Sequence, residues 1–154
     1  MEQTWNVLRR LPRFIRDVYQ NRMRQDVIPR LLTYTVTFRC NAKCIMCDSW
    51  KMNGQGDLTL DEIRNIFRQL PEMDVVRLTG GEPFVRPDLL DIVSLCHRYL
   101  KPLGIHITTN GFLTERIVEL CRKRDRHSPL QLMVSLDGVE EKHNYIRGSS
   151  IAWR

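Results

Sequence analysis

The sequence lacks any apolar run long enough to cross a membrane, and its amino end shows neither the apolar core nor the cleavage site of a secretory leader. It has no internal repeat and no low-complexity segment. Only five of its 154 residues are cysteines, and three of these stand in one run, which leaves too few for a disulfide scaffold. These absences predict a folded protein of a reducing compartment, and we expect a cytoplasmic location.

The cysteine run comprises Cys40, Cys44 and Cys47. Three thiolates can hold a soft metal centre but leave one coordination position without a nearby ligand. The three residues after the run contain no fourth cysteine, the next one is Cys96, and no second Cys/His pair with zinc-site spacing follows. The pattern therefore favours an iron–sulfur site with an open iron over a four-cysteine cluster or a structural zinc site.

Four segments rich in Val, Ile, Leu and Thr are predicted to be strands: residues 31–38, 75–79, 105–108 and 130–136. Helical patterns separate them, so the order is β-α-β-α-β-α-β. Strands that alternate with helices form a parallel sheet. The sequence therefore predicts an α/β fold.

The first intervening helix begins with a capping box formed by Thr59 and Glu62, and Pro71 stops it. Each helix carries an apolar stripe for the core. The stripes are Leu60, Ile63, Phe67 and Leu70 in the first helix; Leu89, Ile92, Val93, Cys96 and Leu100 in the second; and Ile117, Leu120 and Cys121 in the third. Cys96 and Cys121 are therefore predicted to be core residues and not ligands.

Polar and glycine residues follow the predicted strands at their carboxyl ends, where parallel βα folds place their sites. The candidates are Gly80, Gly81, Glu82, Thr109, Asn110, Ser135 and Asp137. The glycines would let backbone groups approach a ligand, Glu82 could accept a hydrogen bond from a cationic amine, and the short polar side chains could bind its other groups. Taken singly, each motif is also an ordinary turn.

Together, the Cys-x3-Cys-x2-Cys run, the segment Gly80-Gly81-Glu82-Pro83 and the polar ends of the third and fourth strands resemble the radical S-adenosylmethionine (radical SAM) superfamily over residues 31–148. The resemblance implies a partial (β/α) TIM-like barrel, truncated here after about the fourth strand. It implies a [4Fe-4S] cluster on Cys40, Cys44 and Cys47, and S-adenosylmethionine bound by the seven rim candidates. An electron passed to that cofactor would generate a 5′-deoxyadenosyl radical that abstracts hydrogen from a substrate.

The same resemblance implies an electron donor such as flavodoxin or ferredoxin, and it favours a peptide or small-molecule substrate over nucleic acid. One departure is Met46, where the family commonly has an aromatic residue near the adenine. The segment 143–148 resembles a stretch that helps shape the substrate region in relatives, although a solvated loop fits the pattern equally well.

Such barrels have about six βα units and full ones about 250 residues, so this chain holds only the first four strands and leaves the fourth as an open edge. It is either a fragment of a longer protein or completed by another polypeptide. The open alternatives to an active enzyme are a catalytically incompetent remnant and an iron–sulfur or zinc module without S-adenosylmethionine chemistry.

We expect residues 1–30 to form a basic amphipathic helical segment and residues 31–154 an incomplete radical SAM core domain. Residues 1–30 hold seven arginines against three acidic residues, which is +4 of the formal net charge of +6. Such a helix could lie on an anionic membrane or touch nucleic acid. We expect instead that its apolar stripe packs on the bottom of the barrel while its arginines face solvent.

Overall fold

The computed structural model describes residues 2–153, and side-chain burial from residue 5 onward. Its four strands are β1 (Leu31–Thr37), β2 (Val75–Gly80), β3 (Gly104–Thr109) and β4 (Leu130–Val134). They form one parallel sheet in the order β1-β2-β3-β4. The predicted fold class and strand order are therefore confirmed, and every strand boundary lies within two residues of its predicted position.

Five helices accompany the sheet in the described residues: α1 (Glu2–Arg22), α2 (Leu60–Gln69), α3 (Leu89–Leu95), α4 (Thr114–Lys123) and α5 (Glu140–Arg147). The capping box is present, because the Thr59 hydroxyl accepts from the Glu62 N–H while the Glu62 carboxylate accepts from the Thr59 N–H. Helix α3 continues as a π-helical turn, Cys96–Leu100, that the periodicity did not predict.

The core lies where α2 and α3 cover the middle strands of the sheet. The fully buried members include Val76, Leu78, Ile105 and Ile107 from the strands and Ile63, Ile92 and Leu100 from the helices. Cys96 is part of this core, and burial raises the pKa of its thiol to about 12. Cys121 is only partly buried, so its predicted core position is confirmed only in part.

Helix α1 contacts the base of the sheet with its polar side, so the expectation that its apolar stripe would pack there is wrong. The base of the sheet presents backbone carbonyl groups and Asp74, which require hydrogen-bond donors. Arg10 is buried and donates to the Met73 carbonyl and to the Asp74 carboxylate, each at 2.7 Å. The apolar side of α1 is consequently left toward solvent.

Strand β4 pairs with β3 on one side only within residues 2–153, so the predicted open edge is present in the described chain. Met133 and Val134 of β4 are exposed. No described helix combines the length and the apolar composition that crossing a membrane requires.

Candidate functional site

The cysteine run lies in the loop that leaves the carboxyl end of β1, as predicted. None of the three cysteines forms a disulfide. Cys44 is buried, Cys40 is half-buried and Cys47 is exposed. The loop therefore presents three free thiols at the carboxyl rim of the sheet, and the three differ in solvent exposure.

Each of the three sulfur atoms accepts a hydrogen bond. The Ala42 N–H donates to Cys40 Sγ at 3.4 Å, and the Ser49 N–H donates to Cys47 Sγ at 3.5 Å. Hydrogen bonding to the Ser49 hydroxyl and backbone lowers the pKa of the Cys47 thiol, whereas burial raises the pKa of the Cys40 thiol. The donor to Cys44 comes from much further along the chain and is a side chain of α5.

Arg147 supplies that donor. Its Nη1 atom lies 3.7 Å from Cys44 Sγ, and its Nε atom lies 2.6 Å from the Asp137 carboxylate. The ring of His143 accepts from the Asp137 N–H at 3.2 Å. Asp137, predicted as a cofactor ligand, is thus already paired, and the pairing fixes the guanidinium against the cysteine loop.

The carboxyl end of α5 closes over the same loop. The Ile45 N–H donates to the Ile146 carbonyl at 2.9 Å. Gly148 has a φ of 63°, and a Cβ atom there would collide with the Lys43 carbonyl oxygen, so only glycine permits the approach. We call the contacts of Ile146, Arg147 and Gly148 with the cysteine loop the α5 clasp.

The solvated-loop alternative for residues 143–148 is wrong, because the segment is helical and both His143 and Arg147 are buried. Arg147 was not among the residues that the sequence predicted for the site. The resemblance of residues 143–148 to a stretch of the family was the one indication of a role. Spacing along the chain could not indicate that Arg147 reaches a cysteine 103 positions earlier.

Gly80 and Gly81 permit a close approach between the carboxyl ends of β1 and β2. A Cβ atom on Gly80 would collide with the Thr37 carbonyl oxygen, and one on Gly81 would collide with the Arg39 carbonyl oxygen. The Gly81 N–H donates to Thr37 and the Glu82 N–H donates to Arg39, at 2.8 and 2.9 Å. The glycines therefore let the end of β2 clamp the backbone that leads into Cys40.

The Glu82 carboxylate is turned inward and is 1% exposed. It accepts from the Thr109 hydroxyl at 2.8 Å, the Asn110 N–H at 2.7 Å and the Phe84 N–H at 3.1 Å. Burial raises its pKa, and these hydrogen bonds oppose that shift. In this structure the carboxylate joins the ends of β2 and β3.

Asn110 connects the end of β3 to the cysteine loop. Its Nδ2 atom donates to Asn41 Oδ1 at 2.8 Å and lies 4.0 Å from Cys40 Sγ. Ser135 follows β4, and its N–H donates to the Thr109 carbonyl at 2.9 Å. The structure thus brings the seven rim candidates to one edge of the sheet, where several of them hold one another.

The donor set fits an iron–sulfur cluster. In the described residues no three Cys, His, Asp or Glu side chains are gathered closely enough to hold a single metal ion. A cubane cluster has another requirement, because each thiolate binds a different iron atom and the sulfurs stand apart. Three free thiols on one loop, each accepting an N–H hydrogen bond of the kind that tunes cluster sulfurs, supply donors of the required type.

A parallel four-stranded sheet with a three-thiol loop at its carboxyl rim is the fold of a partial (β/α) barrel that carries a cofactor site. The family model of the radical SAM superfamily matches residues 34–154. The chain therefore belongs to the radical SAM superfamily, whose enzymes use a [4Fe-4S] cluster and S-adenosylmethionine.

Solved structures agree on the fold. The crystal structure of Streptococcus suis SuiB bound to S-adenosylmethionine matches with a TM-score of 0.65 and 23% identity, over 79% of this chain and 28% of that one. SuiB bound to its precursor peptide SuiA matches with a TM-score of 0.65 and 21% identity, over 86% and 30%. This chain thus spans less than a third of the SuiB chains.

Proposed function

We propose that Cys40, Cys44 and Cys47 hold a [4Fe-4S] cluster with one open iron, and that the chain acts in reductive cleavage of S-adenosylmethionine within a radical SAM enzyme. The observation that carries the proposal is the loop of three free thiols, each accepting a hydrogen bond, at the carboxyl rim of the sheet. When bound, the cluster and S-adenosylmethionine supply one electron and a 5′-deoxyadenosyl radical that abstracts a hydrogen atom from the substrate.

The protein's contribution at the cysteines is orientation and electrostatics. The lowered pKa of Cys47 favours its thiolate, which is the form that binds iron. The buried Arg147 adds a positive charge and an N–H donor beside Cys44. Both features stabilise negative charge on ligand sulfurs, and they support this loop as the cluster site.

At the neighbouring rim we propose that backbone carbonyl groups of Gly80 and Gly81 receive the amino group of S-adenosylmethionine. The Glu82 carboxylate already accepts three hydrogen bonds inside the protein, so its proposed role is to hold this segment against β3. Ser135 and Asp137 remain candidates for the other polar groups of the cofactor, with Asp137 oriented by Arg147.

For the whole protein we propose a peptide or a small molecule as the substrate and a flavodoxin or ferredoxin as the electron donor. SuiB has been crystallised with a precursor peptide, which makes a peptide the first class to test. The substrate would lie over the same rim, because the radical forms there.

Anaerobic reconstitution with iron and sulfide, followed by electron paramagnetic resonance of the dithionite-reduced protein, tests the proposal. We expect a four-iron signal that shifts when S-adenosylmethionine is added. Cys44→Ala should lose the cluster, whereas Cys121→Ala, which removes a partly buried thiol outside the loop, should retain it. Bound zinc without the signal would refute the cluster. A cluster whose signal ignores S-adenosylmethionine would refute the open iron.

A further inference from the structure

Helix α1 is held to the body of the protein mainly by polar contacts, and the Phe14 ring adds a cation–π contact at 5.9 Å from the Arg30 guanidinium. Asp17 is buried and pairs with Arg30 at 2.8 Å, and Arg13 donates to the Glu72 carbonyl at 3.2 Å. Arg10 adds hydrogen bonds to the carbonyl groups of Met73 and Lys101. The charged side of the helix therefore contacts the protein, whereas an ordinary surface helix turns its apolar side toward the protein.

The opposite side of α1 is apolar and open. Leu8, Leu11, Ile15 and Val18 recur at spacings of three and four residues, so they form one stripe along the helix. Their exposed fractions run from 50% to 59%. Exposed Trp5 and Tyr19 widen the stripe, whereas Val7 and Phe14 are exposed at its protein-facing border, where Val7 lines a cavity and Phe14 contacts Arg30. A patch of this kind marks an interaction surface.

Positive charge borders this patch. Arg9 and Arg16 are exposed on α1, and the only acidic residue of α1 with a described side chain, Asp17, is buried, with its carboxylate 3.4 Å from the Arg16 guanidinium. A cavity of about 550 Å³ lies between α1 and the base of the sheet, and it is lined by Arg9, Arg10, Lys101 and Arg126 without any carboxylate. Arg9 belongs both to this cavity and to the border of the patch, so the surface beside the patch is complementary to anions.

We propose that this face of α1 docks the protein on an anionic lipid bilayer, with the helix lying in the interface. An interfacial helix has an apolar face with Trp, Phe and Leu and a border rich in Arg or Lys, which is the composition found here. Nucleic acid would engage the arginines but leave the apolar stripe in water. A lipid interface would bind both the apolar stripe and the arginines, because acyl chains contact the stripe and anionic headgroups pair with the arginines.

Vesicle co-sedimentation of the full chain tests the proposal, and it needs neither cluster nor activity. The wild type should pellet with phosphatidylcholine vesicles that contain phosphatidylglycerol and should partition at least about tenfold less into pure phosphatidylcholine. Ile15→Glu should reduce partitioning by about tenfold or more. Ile151→Glu is the matched control, because Ile15 and Ile151 are 59% and 64% exposed and lie in different parts of the chain.

Circular dichroism melting checks that both variants are folded, and Arg9→Gln/Arg16→Gln should weaken binding mainly at low salt. Failure of the wild type to pellet, or an equal loss in Ile151→Glu, would overturn the proposal. So would concentration-dependent self-association that Ile15→Glu abolishes, which would assign the patch to a second copy of the chain, or binding of a DNA duplex without binding to vesicles.

Discussion

Arg147 and Cys44 lie 103 positions apart in the chain, yet the Arg147 guanidinium donates to the Cys44 sulfur at 3.7 Å. The same guanidinium is anchored by Asp137 at 2.6 Å, so it cannot swing freely. Both residues of this pair are buried. If Cys44 binds a cluster as proposed, a fixed cation beside its sulfur would help to set the energy at which the cluster accepts an electron.

Arg147→Gln is therefore expected to lower the midpoint potential of the reconstituted cluster, because it removes a positive charge and an N–H donor to sulfur. A redox titration followed by electron paramagnetic resonance measures this potential. Arg122→Gln removes the same charge from the exposed side of α4 and should leave the potential unchanged. Equal potentials for the wild type and Arg147→Gln would contradict this role.

Gly148→Ala should loosen the α5 clasp and reduce cluster retention, because a Cβ atom at Gly148 collides with the Lys43 carbonyl oxygen. Gly56→Ala provides the control. Gly56 also has a positive φ, 93°, but a Cβ atom there meets nothing within 4 Å. Iron and sulfide content after gel filtration compares the two. If both variants lose iron equally, backbone strain and not the clasp is responsible.

The three loop cysteines of the cluster-free protein should react with iodoacetamide at different rates. Cys47 should react first and at the lowest pH, because it is exposed and its pKa is lowered, so more of it is thiolate. Cys40 should need a higher pH, because burial raises its pKa, and Cys96, with a pKa of about 12, should remain unmodified. Mass spectrometry of tryptic peptides over a pH series tests this order.

Arg86→Met should destabilise the fold by about 3 kcal/mol, since it removes a buried guanidinium. That group donates to the Val36 and Leu58 carbonyls, each at 2.6 Å, and makes two hydrogen bonds to Asp88. Urea unfolding measures the loss. Arg116→Met is the control and should cost less than about 1 kcal/mol, because Arg116 is exposed.

The same ion pair predicts a pH dependence. Hydrogen bonding to Arg86 lowers the pKa of Asp88. A carboxyl group with a lowered folded-state pKa contributes stability that is present above its unfolded pKa and is lost as the pH falls through the folded value. The wild type should therefore lose more stability than Asp88→Asn as the pH falls through that acid range. If the free energies of unfolding of the two proteins changed equally with pH, the ion pair would not be the source of the pH dependence.

Local periodicity in the sequence predicted much of the fold, although not the π-helical turn Cys96–Leu100. The four strands, the capping box at Thr59 and the buried stripe that includes Cys96 were all predicted, because burial and capping leave a repeat in neighbouring residues. The sequence also predicted that the cysteine loop and the glycine segment lie at one rim, because the carboxyl ends of parallel strands meet at one edge of the sheet. The family assignment followed from the order of those motifs.

What the sequence did not reveal depends on contacts between distant segments. The apolar stripe on α1 was correctly read as amphipathic, but its direction depends on Asp74 and the carbonyl groups at the base of the sheet. Likewise, the sequence could not indicate that the Thr37 and Arg39 carbonyl groups approach Gly80 and Gly81, because these contacts join segments that are distant in the chain. Arg147 was missed for the same reason.

The α5 clasp can form only some time after the cysteine loop has been synthesised. At roughly 5–20 residues per second, a ribosome needs on the order of ten seconds to progress from the cysteine loop to Gly148. During that interval the three thiols are on a nascent chain whose closing helix does not yet exist. If the loop cysteines hold a cluster as proposed, iron delivered this early would meet an unclosed loop, and the complete site exists only after translation of α5.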